Sequence, residues 1–151
     1  MDDPEAGVSE MARVGRPGGT VAACVWDSRR MPLLRAFWDA SREAAPERAA
    51  AIDKGLQIGY AAPEELGDLF ARGGLVGTEM GEMPVTASYS DVDDLMRPFA
   101  TGVGHSGACF VSLAPRTQSA VVSDVQRRLG SPSGSFSLTA YAWWARGHVP
   151  A

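Results

Sequence analysis

Gly102, Gly104 and Gly107 spell G-x-G-x-x-G, the spacing with which a strand-to-helix turn brings backbone amides against a dinucleotide pyrophosphate. That chemistry needs a strand before the glycines, and here Asp91–Ala100 carries helical capping and periodicity instead. The spacing predicts a flexible helix–helix connection, with no cofactor-binding residues assigned to it. The two histidines, His105 and His148, have no Cys or carboxylate at ligand spacing, so neither marks a metal site. His105, in the glycine-rich stretch, has the titration range of a general base. Trp26 and Asp27 end an apolar run. In open α/β sheets, ligands bind beyond the carboxyl ends of strands, which makes both residues candidates for substrate contact. The plainer reading, which the sequence favours, puts Trp26 in the core and has Asp27 cap the next segment. Asp91, Asp93 and Asp94 read as the acidic start of a helix rather than as a cation cage.

These residues must be positioned by an α/β framework of one domain spanning the 151 residues. Asp3-Pro4-Glu5 predicts a capped helix start, with Val8, Met11 and Ala12 on one face and an end near Gly15. Pro17-Gly18-Gly19 makes a turn. Thr20–Trp26 is an uninterrupted apolar strand, which predicts burial on both faces. A helix follows from about Pro32 to Ala44, buried through Leu33, Leu34, Phe37, Trp38 and Ser41. From Pro46 to Tyr60 the pattern gives a short helix and a loop. Pro63-Glu64-Glu65 opens a helix with Leu66, Leu69 and Phe70 inward and Gly73-Gly74 at its end. Leu75–Val85 reads as an irregular strand. Ser90 and Asp93 form a capping box for a helix carrying Leu95, Met96 and Phe99. A helix from Pro115 has Val121, Val125 and Leu129 inward. Phe136–Arg146 is the last strand, with Trp143 and Trp144 on opposite faces.

The formal net charge of −4, without a basic block, excludes nucleic-acid binding through a clustered positive footprint. Cys24 and Cys109 sit among apolar residues and read as small buried hydrophobes, which suits a reduced, cytoplasmic compartment. No apolar stretch has the length of a membrane span.

Three ordered segments carry a family resemblance over nearly the whole chain. Glu10–Gly19 with the strand to Trp26-Asp27 resembles the helix and Pro-Gly-Gly turn that lead into the fifth strand of class I S-adenosylmethionine-dependent methyltransferases. Glu65–Leu75 resembles the helix that feeds their sixth strand, and Phe136–Ala145 stands in the place of the seventh. Arg97-Pro98-Phe99 and Gly102-Val103-Gly104 resemble the substrate-side insertion of a subgroup with small-molecule acceptors. The resemblance implies a partial Rossmann-like fold, a three-stranded mixed sheet in which the first and second strands flank an antiparallel C-terminal strand. It implies S-adenosylmethionine as cofactor and in-line methyl transfer to an acceptor, for which Trp26, Asp27 and His105 are the candidate contacts. The glycine-rich loop, ribose acceptor and adenine contacts of the family would precede Met1. The chain is therefore expected to correspond to the C-terminal half alone, through a misplaced start, a frameshifted gene or a real short protein. It is expected to bind the cofactor poorly by itself and to associate with itself or with a complementing polypeptide. The other reading is a non-catalytic interaction module that associates through an exposed sheet edge.

Overall fold

The computed structural model describes residues 3–53 and 62–151. Its elements are α1 Pro4–Val14, β1 Thr20–Trp26, a 3-10 turn Ser28–Arg30, α2 Pro32–Ala44, α3 Pro46–Asp53, α4 Pro63–Arg72, β2 Val76–Tyr89, α5 Val92–Ala100, α6 Gly104–Val111, α7 Pro115–Arg128 and β3 Phe136–His148. The architecture is α/β. One sheet has the order β1-β3-β2, so the last strand lies between the first two. β3 is antiparallel to β1, with Cys24 opposite Trp144 and Trp26 opposite Ala142. Along β2, Thr86 meets Thr139 and Ser88 meets Ser137, which makes that ladder antiparallel as well. The flanking of an antiparallel C-terminal strand is as expected, but the sheet is antiparallel throughout, not mixed. β1 and β2 have no ladder between them because β3 separates them. The loop expected before Tyr60 falls, from residue 54 on, outside the described residues.

Two compact units share the strands. The first comprises the described residues of Met1–Asp27, Ile58–Val85 and Ala140–Ala151. Asp3 caps α1 by accepting the Ala6 N–H at 2.9 Å, and Pro4 occupies the first turn. Val8 of α1 packs with Leu66, Leu69 and Phe70 of α4, and with Leu75, Ala145 and Val149. Val21, Ala23 and Val25 lie against this cluster. The helices of this unit therefore cover one face of its sheet. Met11, expected on the inner side of α1, is exposed.

The opposite face overturns an expectation. β1 alternates along its length, with Thr20, Ala22, Cys24 and Trp26 exposed, so it is not buried on both faces. An all-apolar sequence signals double burial only if a layer exists on both sides; in this unit α1 and α4 supply one. Cys24 is accordingly exposed, whereas Cys109 is buried as expected. On this open face the Trp144 ring lies across Gly81, where an added Cβ would come within 2.9 Å of it. Arg146 pairs with Glu79 at 2.7 Å, and Thr20 Oγ1 meets His148 Nδ1 at 3.2 Å.

The second unit comprises the described residues of Ser28–Gln57 and Thr86–Thr139. Its core is the meeting of the apolar stripes of α2, α5, α6 and α7 around Phe37, Leu95, Cys109, Val121 and Val125. The Phe37 ring stacks on Phe99 at 4.6 Å and meets Trp38 edge-on at 5.2 Å. The helix starting near Ser90 is capped one residue later than expected. Asp91 accepts the Asp94 N–H at 2.8 Å, while Asp94 accepts the Ser90 N–H at 3.1 Å.

Both outer strands have an open edge. β2 carries Glu79, Glu82 and Pro84, and Gly77 takes φ +62°, all of which obstruct pairing with another chain. β1 carries no charge, proline or bulge. The chain alone is therefore expected to self-associate through β1 with rising concentration, and Ala22→Lys, at an exposed position, should return it to a monomer. Light scattering decides; a wild-type chain that stays a monodisperse monomer contradicts this. Thiol labelling should modify Cys24 in the native protein and Cys109 only on unfolding. Equal native rates for the two would show that the exposed face is covered.

Candidate functional site

Trp26 and Asp27 end β1 and are treated oppositely by the fold. Trp26 is 42% exposed and Asp27 only 3%. The Asp27 N–H donates to the Tyr141 carbonyl at 2.8 Å, carrying the ladder one residue beyond β1, and the 3-10 turn begins at the next residue. A ligand arriving from solvent at this strand end meets the indole, while the carboxylate stays within the protein. Trp26 is thus not a core residue, and of the two it alone offers an open surface. His105 is exposed in the first turn of α6. It belongs to the second unit and Trp26 and Asp27 to the first.

The glycine triplet has a structural explanation. α5 precedes it, Gly102 and Gly104 take φ +77° and +65°, and α6 begins at once. The connection joins helix to helix, as expected, through a tight turn. Positive φ at two positions reverses the chain at little cost only for glycine. Gly107 then packs on the turn, since a Cβ there would stand 2.5 Å from the Gly102 carbonyl carbon. The amides of Gly102, Val103 and Gly107 donate to Phe99, Pro98 and Val103 carbonyls at 3.0, 3.0 and 3.1 Å. Amides committed in this way cannot cradle a phosphate. The acidic cluster is likewise occupied with capping and with an Asp94–Arg97 pair at 3.0 Å. Among the described residues no three His, Cys, Asp or Glu side chains gather as a metal site.

Sequence reading passed over a set of arginines. Arg29, Arg30 and Arg35 surround the start of α2 and share a cleft with Arg128 from the end of α7. The available signal was a helix start without a carboxylate. α1, α3, α4 and α5 each carry Asp or Glu in the first turn, and α2, like α6 and α7, carries none.

No family model matches the chain, and no curated protein matches it in a sequence search. Among the described residues no helix is long and apolar enough to cross a membrane.

The glycine assignment predicts a stability effect. Gly107→Ala forces a Cβ onto backbone and should cost about 1–3 kcal/mol, as overpacking generally does. Gly104→Ala, in open space but at positive φ, should cost about 1–2 kcal/mol. Denaturant melts measure both, and dinucleotides should leave the wild-type Tm unchanged. A Gly107→Ala protein as stable as wild type would remove the close contact from the explanation.

Proposed function

We propose that this chain is the acceptor-side half of a class I S-adenosylmethionine-dependent methyltransferase, with the cofactor cradle supplied from outside these residues. The observation that carries the reading is the strand order, with the antiparallel last strand inserted between the first two. The family resemblance of the three segments implies that order, and neither periodicity nor composition does. On this reading the sheet is part of a Rossmann-like sheet, and the open β1 edge is where a further strand continues it. The small-molecule acceptor meets the exposed Trp26 ring at the carboxyl end of β1, with Asp27 behind it. The chemistry is chiefly the positioning of an acceptor. Free thiols at Cys24 and Cys109 suit a cytoplasmic setting.

The residues present do not make a cradle for S-adenosylmethionine. Among the described residues no glycine-rich turn joins a strand to a helix, and the Gly102, Val103 and Gly107 amides of the G-x-G-x-x-G stretch are engaged elsewhere. No step involving the cofactor is assigned to this chain's side chains.

A second reading is favoured by the contrast between the two sheet edges. An interaction module that lends its unobstructed β1 strand to another polypeptide needs no cofactor at all. Calorimetry separates the readings. The isolated chain is expected to show no heat of S-adenosylmethionine binding, and the complex with its complementing polypeptide to bind it. A complex that forms through β1 yet never binds the cofactor favours the interaction module. A micromolar Kd for the isolated chain would overturn the acceptor-half assignment and return the Gly102–Gly107 turn to consideration.

A further inference from the structure

Positive charge collects at the start of α2, in a chain whose formal net charge is −4. The cleft there has a volume of about 410 Å³, within the range of small-ligand sites. Arg29, Arg30, Arg35 and Arg128 line it, and Asp39 is the one carboxylate among the lining residues.

The carboxylates nearby are already matched. Asp39 accepts from Arg42 at 3.0 Å and lies 3.9 Å from Arg128. Arg128 pairs with Asp124 at 2.7 Å and with Glu43 at 2.7 Å, and Arg127 also pairs with Asp124. The hydrogen bond to Asp124 raises the Arg128 pKa above its ordinary value. Arg42, Arg127 and Arg128 thus balance Asp39, Glu43 and Asp124. Arg35 stands outside this network. Its Nη1 donates to the Arg29 carbonyl at 3.0 Å, and among the described residues it has no carboxylate within ion-pair distance. Arg29 and Arg30 have contacts of their own, and a guanidinium has five N–H donors to divide among its partners.

The helix adds to the same field. Met31 precedes α2 without a side-chain cap, and no carboxylate stands in the first turn. Arginines at the positive end of a helix dipole are unfavourable by the rule that places carboxylates there. An oxyanion in the cleft would relieve both the dipole and the uncompensated Arg35.

We propose that this cleft is a binding site for an oxyanion, the phosphate or carboxylate group of a small ligand. Arg35 is its principal donor, and Arg29 and Arg30 flank it. The site does not depend on the methyl-transfer reading. The test is calorimetric titration of the whole chain with pyrophosphate and, separately, with citrate, at ionic strength held constant with sodium chloride. Saturable binding with Kd at or below about 1 mM is expected for at least one of them. A preference for pyrophosphate identifies a phosphate ligand, and a preference for citrate a carboxylate. Arg35→Ala should weaken binding about tenfold or more, the scale of losing a hydrogen bond to a charged group. Arg35→Lys should fall between, since a lysine keeps the charge but not the planar fork. Arg29→Ala should also weaken it, and Arg13→Ala, on α1 and paired with Glu10, should not. Each variant is first shown to melt cooperatively. The proposal is overturned if neither anion saturates, or if Arg35→Ala and Arg29→Ala both bind as wild type does.

Discussion

The constraint on which the rest depends is that the last strand must enter between the first two. β1 and β2 are never neighbours, so neither has a sheet partner until β3 is present. Thr20 is laddered to His148 across almost the full length of the chain. Such pairing carries a loop-closure cost that the local helical contacts do not. β3 also has a double role in packing. Its Ala145 belongs to the core of the first unit, and Phe136 and Leu138 pack on the core of the second. One thirteen-residue strand thus ties the order of the sheet to the completion of both cores.

How much of this was legible follows from whether a feature is encoded locally. The cap at Asp3 and the proline starts of α2, α4 and α7 depend on neighbouring residues and were readable. So were the inward stripes of α2, α4 and α7 and the existence of the three strands. The position of β3 was readable only through resemblance, since alternation on both faces suits a central strand but fixes no neighbours. What failed was whatever depends on the presence of a second layer. β1 has the composition of a doubly buried strand, yet it leaves Cys24 and Trp26 exposed. α6 was missed because Gly104 and Gly107 have poor intrinsic helix propensity. Its tertiary compensation, the seat of Gly107 on the Gly102 backbone, has no local signature.

The candidate site was legible in parts and misjudged in emphasis. Trp26 and Asp27 were singled out together, but a one-residue change of face separates an exposed ring from a carboxylate held inside. The alternation of a strand makes that separation unavoidable for adjacent residues. Two neighbours at a strand end can therefore act on the same ligand only if one of them acts through the backbone or from behind the other. The G-x-G-x-x-G spacing is the converse case, a pattern with a known use that the preceding helix argues against and that packing explains. Its discriminating feature is the element that comes before it, because only a turn with uncommitted amides can face a phosphate.

Net charge was the weakest guide of all. A formal charge of −4 and the absence of a basic run describe the chain as a whole and along its length. They say nothing of arginines brought together by folding. Arg29 and Arg30 are nearly a hundred residues from Arg128 in sequence, yet they line one cleft with it. Around that cleft Asp39, Glu43 and Asp124 are held in pairs with other arginines, which leaves Arg35 without a carboxylate partner among the described residues. The field felt by a ligand is set by such local residues within a Debye length of about 8–10 Å, not by the sum over the molecule. An acidic protein can therefore present a positive cleft without contradiction. Here the uncapped start of α2 points its dipole in the same sense as the arginines around it.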